Sequence, residues 1–400
     1  MSEHRDRFVI TEGNGPLIGL LPFQNAEYEQ RLASLRKSMT LQDLSAFISF
    51  TPENIYYLTG HDSPGYYFYQ ACVVTHDGLP VNVLRRIETT NTIWNSWSRR
   101  VVGYEDRQDP VAATLALLDE LGMSNKRIGV EAESFFVTPK RYGALRSGIE
   151  QRGGSVLEAQ LVEPLRLIKS QAELAYIRRG ARIVEKGMRA AIDASSEGST
   201  EDKVAGAMWL AMASAGGEYA GLPPFITSGP RSSLCHATWA GRRFERGDVL
   251  AYELPGVVKR YVAPLFRCGT VGPAPDDARR LADTCISSLE AAIAAIRPGA
   301  TSDEVHAASR RNFEKKGYGE LHGHRTGYSV GINYPPDWGE GQIMSLWSGD
   351  DQKLAAGMTF HLVPGVFVPN KFIINISETV VVTETGCEPI TQFTRELFVV

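Results

Sequence analysis

One run of the chain, Arg246 to Gly272 (RGDVLAYELPGVVKRYVAPLFRCGTVG), limits the possible folds more than any other. It reads as two antiparallel strands. Val249 to Leu254 is apolar except for Glu253, and strand alternation sets Ala251 and Glu253 on one face with Tyr252 on the other. An ionised carboxylate is too costly to bury alone, so Glu253 needs a partner, a raised pKa or a ligand. The second strand, Tyr261 to Val271, carries Arg267 and no acid. The hairpin therefore delivers one acid to a site.

At 400 residues the chain exceeds what one compact core usually holds, so two domains are expected. In the first, Leu32, Leu35 and Met39 recur at helical spacing within Ala26 to Met39, and Leu44 to Phe50 is a short apolar strand. Thr51-Pro52-Glu53-Asn54 breaks that strand and caps a short helix. Strands at Tyr66 to Thr75 and Val81 to Leu84, a helix from Val111 to Leu121, a strand from Arg127 to Glu131, a helix from Lys140 to Ile149 and a strand near Val156 complete an α/β layer. Ser170-x-x-Glu173 is a capping box that opens a long helix reaching about Ala194. This puts the boundary near Leu161 to Ile168, with domains at 1–163 and 164–400. The second domain continues with a helix at Glu201 to Ala213, a strand at Tyr219 to Ser228, the acidic hairpin, helices across Ala278 to Ile296 and Ser302 to Lys316, and strands to the end.

A net charge of -4 without a long basic run argues against nucleic acid or an anionic membrane as partner. The opening MSEHRDRF lacks a signal peptide's apolar run, and no segment offers about eighteen uninterrupted apolar residues, so a cytoplasmic protein is expected. Five scattered cysteines without CxxC spacing fit reduced thiols.

Several motifs, taken together, resemble the creatinase / Xaa-Pro aminopeptidase family, which also includes methionine aminopeptidase. PLRLIKSQAELAYIRRGARI is similar to the family's entry into its catalytic domain, R-x-x-K-[ST]-x-x-E-[IL]. The runs PENIYYLTGHDSPGYY, VLRRIETTNT, YELPG, HGHRTGYSVGINYPPDWGEG and FHLVPG carry the resemblance through both domains. It implies an α/β two-domain protein, a creatinase-like amino-terminal domain followed by a pita-bread (α+β) catalytic domain. The family's peptidases hold two divalent cations on two aspartates, a histidine and two glutamates, because closely spaced cations need bridging carboxylates. Laid on GDxxxxDxGxxxxGYxSDxTR, the first aspartate falls on Glu253 and the second on Pro264. The histidine of GHGxG falls on Tyr328, that of HExP on Pro335, and the glutamate of GMxFxxEPG on Val363. The last glutamate, in IExxVxVTxxG, is matched to Glu378 by allowing a shift of one residue.

Proline and valine at bridging positions direct the resemblance to the family's metal-free branch, of which creatinase, cleaving a C–N bond of a guanidino compound, is an example. It implies a metal-independent hydrolase with no cofactor, acting as a homodimer on an ectoine-like cyclic amidine that carries a carboxylate. Glu253 and Glu378 are expected to hold the flat cation. His236, in a segment similar to the family's SGxN...H (Ser228-Gly229-Pro230, then Leu234-Cys235-His236), is the expected base, set against a core histidine bonded between strands. His361 shares a strand face with Val363 and either points into the same pocket or is a packed strand histidine, and one of His324, Arg325 and Tyr328 is expected to orient a substrate carboxylate. Arg267 serves the same end or pairs with Glu253 or Glu378. The aromatic stretch from Tyr56-Tyr57 to Tyr69 forms either a lid over the cation or part of its own domain's packing. The competing functions are a metal-dependent Xaa-Pro peptidase with a single ion on His236, Glu253, Glu378 and His324, a creatinase-like amidinohydrolase, an osmolyte lyase, and a binding module without activity.

Overall fold

The computed structural model describes residues 8–13 and 21–400, which fall into two units, Met1–Arg166 and Leu167–Val400. The first unit is built on one seven-stranded sheet of order β1-β5-β4-β3-β2-β6-β7. Its strands are β1 (Val9–Glu12), β2 (Ala46–Ser49), β3 (Ala71–Thr75), β4 (Val81–Arg85), β5 (Arg100–Tyr104), β6 (Arg127–Val130) and β7 (Ser155–Glu158). Helices α1 (Asn25–Leu41), α2 (Pro52–Thr59), α3 (Thr89–Asn95), α4 (Pro110–Glu120), α5 (Pro139–Glu150) and α6 (Glu163–Arg166) connect them. Ile48, Val73, Val83, Val102 and Ile128 from the sheet meet Val111, Leu118, Leu145 and Ile149 from α4 and α5 in one core. Each of these two helices starts with proline at its first turn behind a side-chain cap, Asp109 or Thr138, as the chemistry of helix starts requires.

The expected strand from Tyr66 is shorter than the sequence suggested. Pro64 to Tyr67 form a tight 3-10 turn in which Ser63 Oγ accepts the Gly65 N–H, and pairing begins only at Ala71. Tyr56 and Tyr57 are buried within the unit, and the Tyr69 hydroxyl bonds Thr114 Oγ1 at 2.8 Å. These three rings serve packing, while Tyr67 is exposed. Strands β1 and β5 and helix α3 are not foreshadowed in the sequence reading.

The second unit opens with α7 (Gln171–Asp193), whose capping box forms in both directions: Ser170 Oγ accepts the Glu173 N–H and Glu173 Oε2 accepts the Ser170 N–H. After α8 (Glu201–Ser214) come β8 (Phe225–Ser228), β9 (Val249–Val258) and β10 (Tyr261–Thr270), then α9 (Asp276–Ala295) and α10 (Ser302–Lys315). The rest is β11 (Gly327–Ser329), β12 (Ser345–Leu346), β13 (Thr359–Leu362), β14 (Gly365–Val368), β15 (Phe372–Asn375), β16 (Glu378–Val382), β17 (Cys387–Pro389) and β18 (Phe398–Val399). One sheet has the order β18-β10-β9-β8 and another β12-β11-β13-β16-β17, with β14 and β15 as a separate hairpin. Alternation along the β9–β10 hairpin sorts its side chains as expected. Leu250, Tyr252, Leu254 and Leu265 pack against α7 and α8, whereas Val249, Ala251, Phe266 and Cys268 face the core shared with α9 and α10.

No helix among the described residues is long and apolar enough to cross a membrane.

Helix α7 crosses β9 at bare backbone. A Cβ on Gly256 would stand 2.1 Å from the Gly180 carbonyl oxygen, and one on Gly180 would stand 2.5 Å from that of Gly256. Both contacts are with rigid backbone, so the helix must back away if either residue gains a methyl. We expect Gly256→Ala to cost about 1–3 kcal/mol in urea unfolding. Gly143→Ala in α5, where nothing lies within 4 Å of the added carbon, serves as control and leaves stability unchanged or slightly raised.

Candidate active site

Glu253 sits in the middle of β9 with Phe225 of β8 and Phe266 of β10 as its direct cross-strand neighbours. All three therefore point to one face. The Glu253 side chain keeps 13% of its surface open, so it is not sealed from solvent. Burial pushes its pKa up to about 8; the nearby Asp337 charge adds to the rise and Arg325 opposes it. Asp337 is fixed by its own loop, since Oδ1 accepts the backbone N–H groups of Trp338 at 2.6 Å and Gly339 at 3.0 Å.

A hydrogen-bonded chain forms the opposite wall. Trp338 Nε1 donates to the Tyr328 hydroxyl oxygen at 3.0 Å, that oxygen lies 2.8 Å from His361 Nδ1, and His361 Nε2 lies 2.7 Å from Ser377 Oγ. Cross-strand pairing of Tyr328 in β11 with His361 in β13 makes the two side chains neighbours. His361 is wholly buried, and burial, followed by the charges of Arg267 and Arg325, pushes its pKa down to about 3. Its Nδ1 is 4.0 Å from Glu253 Oε1, but a neutral ring makes no ion pair there. The Tyr328 phenol is driven well above its ordinary value, first by burial and then by Glu253, so it keeps its proton.

Arg325 supplies the cation. Its guanidinium stacks on the Tyr328 ring at 4.4 Å from the centroid and donates to Ser345 Oγ at 3.0 Å. His236 is exposed on the loop after β8, with its ring 5.3 Å from that of Phe225, which in turn is 5.1 Å from the Trp338 ring. Its φ of 57° lies in the left-handed region that residues other than glycine seldom occupy, a strain found most often where a side chain must be aimed. Glu253, Tyr328, His361 and Arg325 are thus brought together, and His236 stands beside Phe225, the cross-strand neighbour of Glu253.

Two expected residues are not. Glu378 pairs across the sheet with Leu362, on the face away from His361 and its neighbour Thr379. Its carboxylate is fully engaged by Arg267 at 2.8 Å, Arg395 at 3.1 Å and the Thr391 hydroxyl, so it cannot also hold a substrate nitrogen. The physical reason is a slip of one residue. Without the allowed shift, IExxVxVTxxG runs from Ile376 to Gly386 and its glutamate falls on Ser377. Because strand side chains alternate, that single step moves the position from the outer face to the pocket. His324 is held elsewhere too, with Nδ1 donating to the Arg325 carbonyl at 2.7 Å and its ring against His322 and Phe367. Ser377, Trp338 and Asp337 were missed; only the unshifted motif could have flagged one of them.

With that register, the positions where the family's motifs place metal ligands hold Glu253, Pro264, Tyr328, Val363 and Ser377. One carboxylate, a phenol, a hydroxyl and two apolar side chains do not fit a two-cation centre. Among the described residues no group of three or more histidine, cysteine or acidic side chains is placed to hold a metal ion.

The model of the metallopeptidase family M24 matches residues 175–384, and the creatinase/prolidase amino-terminal domain matches 31–168. The chain belongs to this family, a hydrolase family with the pita-bread fold. It is 34% identical over 95% of its length to the uncharacterized hydrolase/peptidase y4tM of Sinorhizobium fredii, covering 99% of that protein. It is 29% identical to the ectoine hydrolase of Halomonas elongata, over 95% of this chain and 98% of the relative. Among solved structures, the prolidase of Thermococcus sibiricus superposes with a TM-score of 0.82 at 22% identity, covering 93% of this chain and 99% of the other. At that identity the likeness speaks for the fold.

Assigning Glu378 to the Arg267 network has a measurable consequence. Replacing it by leucine leaves the buried guanidinium uncompensated, and we expect a loss of about 3–5 kcal/mol in urea unfolding. A residue lining an open pocket would cost far less.

Proposed function

We propose that this protein is a metal-independent hydrolase that opens the ring of ectoine, or a close cyclic amidine bearing a carboxylate, to an N-acetyl-2,4-diaminobutyrate. The observation that carries the reading is Glu253, an acid with a raised pKa set among Phe225, Tyr328 and Trp338 where the family's other metal-ligand positions hold no carboxylate. Such a pocket suits a flat delocalised cation, whose charge the carboxylate neutralises while the rings cover its faces. The relationship to the ectoine hydrolase of Halomonas elongata supports the choice of substrate.

In this reading the amidinium carbon lies against Glu253 and the substrate carboxylate against Arg325. The Glu253 carboxylate attacks the carbon or positions the attacking water. His236 accepts the proton of that water and returns it to the departing ring nitrogen. One water is consumed, one ring C–N bond breaks, and an amide and an amine remain. His361 is neutral throughout and takes no part in charge transfer. The protein is proposed to act as a cytoplasmic homodimer, which light scattering on the purified protein checks for the assembly.

A second reading, a metal-dependent Xaa-Pro peptidase, draws on the family match and on the prolidase-like fold. One experiment separates the two. Protein purified in chelator is incubated with ectoine and followed by NMR. We expect ring opening without added metal, a loss of roughly a hundredfold to ten-thousandfold in His236→Ala, and comparable loss in Glu253→Gln. No opening of ectoine, together with cleavage of an Xaa-Pro dipeptide only when a divalent ion is added, establishes the peptidase instead.

The pH profile follows from Glu253. Below about pH 8 the free protein holds this group as the neutral acid, which neither attacks nor neutralises a cation. We expect kcat/KM to rise with pH through a limb near 8. A bound cation favours the carboxylate, so the matching limb in kcat should fall at lower pH. A flat profile from pH 6 to 9 would remove Glu253 from the reacting group.

A further inference from the structure

The hydrogen-bond chain from Phe266 to Trp338 contains one proton whose direction the structure settles by elimination. Ser377 Oγ accepts the Phe266 N–H at 2.6 Å, and among the described residues its other hydrogen-bond partner is His361 Nε2. Tyr328 Oη accepts from Trp338 Nε1 and otherwise meets His361 Nδ1. A neutral imidazole carries one N–H, so two arrangements remain.

If His361 is protonated on Nε2, Tyr328 donates to Nδ1, and Ser377 receives two hydrogen bonds. Its own hydroxyl proton then has no acceptor, in a residue wholly shut off from solvent. Burying an unsatisfied donor costs about 1–3 kcal/mol. If His361 is protonated on Nδ1, Ser377 donates to Nε2 and Nδ1–H donates to Tyr328 Oη. Ser377 and His361 are then satisfied, and the one proton without a partner in the chain is moved from the sealed Ser377 to Tyr328, which is slightly exposed. Tyr328 Oη and Glu253 Oε1 lie 2.8 Å and 4.0 Å from the same ring nitrogen.

In the free protein Tyr328 and Glu253 share no hydrogen bond; we propose that Tyr328 becomes the hydrogen-bond donor to the Glu253 carboxylate once that acid ionises, and that His361, locked as its Nδ1–H tautomer by Ser377, is the positioning residue that turns the Tyr328 proton into the pocket. Two acceptor sites of the phenol oxygen are filled from behind, by Trp338 and His361, so its O–H has one way to point. A donor on one carboxylate oxygen leaves the other free to approach the amidinium carbon, and it favours the ionised form of Glu253. His361 thus acts through Tyr328 and touches no substrate. The catalytic half of this inference rests on the proposed function; the tautomer does not.

The test has two arms. In the first, protein labelled with 15N-histidine is examined by NMR without substrate, the His361 signals being identified by their absence in His361→Asn. Protonated Nδ1 with a bare Nε2, unchanged from pH 5 to 9, is the expected result. Protonated Nε2 overturns the proposal. Ser377→Ala should release the lock and bring Nε2–H signal, and Ser377→Thr, which keeps the hydroxyl, should restore Nδ1–H. In the second arm, Tyr328→Phe should lower kcat on ectoine roughly tenfold to a hundredfold, the worth of one hydrogen bond to a charged group. KM should change little, and the limb in kcat/KM should move up by about one pH unit. A variant that loses kcat with the limb in place has lost structure only, and this overturns the donor role. If His361 shows Nδ1–H and the wild type does not open ectoine, the substrate reading fails alone. If ectoine is opened and His361 shows Nε2–H, the proton arrangement fails alone.

Discussion

The guanidinium of Arg267 is wholly buried, and the pocket depends on how its charge and five donors are met. Burial works against the charge, and the Glu378 carboxylate works for it. The remaining donors go to the carbonyls of Phe266, Ser377, Phe393 and Thr394. A buried cation satisfied in this way ties β10 to the bend before β16 and to the segment after β17. Phe266 and Ser377 then clamp each other directly, since the Ser377 N–H reaches the Phe266 carbonyl at 3.2 Å while the Phe266 N–H reaches Ser377 Oγ. From Ser377 the order passes through His361 to Tyr328. An ion pair on the outer face of the hairpin therefore sets the geometry of groups on the inner face. Replacing such a pair by apolar residues often costs little stability in general, so its value here lies in directing neighbours as much as in holding the fold.

A second buried pair performs the same service for the loop that carries Trp338 and Asp337. Lys169 Nζ lies 2.8 Å from Glu340 Oε2, with both side chains 1% exposed. Glu340 also accepts the Ile332 N–H, and a Cβ on Gly331 would stand 2.6 Å from its carboxylate, so the chain can pass only as glycine. The loop is thereby pulled against the strand β11 at one end, and Trp338 is delivered to the Tyr328 hydroxyl. Lys169 belongs to the entry motif of the catalytic domain and Glu340 to the PPDWGE run, which gives a physical meaning to two stretches that carried the family resemblance.

The legible parts of this chain were those governed by short-range rules. Alternation placed Glu253 and Tyr252 on opposite faces of β9, and Ser170 and Glu173 announced the start of α7, because each depends on residues within one turn or one strand. Helix α3 and strand β5 escaped because their residues, such as Thr89 and Gly103, follow neither period clearly and take their state from packing between themselves. The site was legible only where an acid interrupted an apolar strand. Glu378 was misassigned because a carboxylate is an attractive ligand and a serine is not, and one residue of register decides which faces the pocket. Arg267 was left open between roles, since nothing local tells an ion pair from a substrate anchor. Trp338 and Asp337 lie in a loop without period, and their place beside Tyr328 is set by Lys169, far away in sequence.

The charge balance of the pocket gives the proposed substrate its logic. Glu253 and Asp337 oppose a single nearby guanidinium, Arg325, and the protein resolves the excess by holding the Glu253 proton up to about pH 8. A zwitterion carrying an amidinium and a carboxylate answers both signs at once. Its cation takes the place of the Glu253 proton, and its anion neutralises Arg325 without burying a second unpaired charge. A dipeptide with a terminal amine presents a compact, strongly hydrated cation, which the flat faces of Phe225, Tyr328 and Trp338 cover less well than a planar ring. The same scaffold that elsewhere in the family surrounds metal ions with carboxylates would here let the substrate provide the positive charge that Glu253 meets.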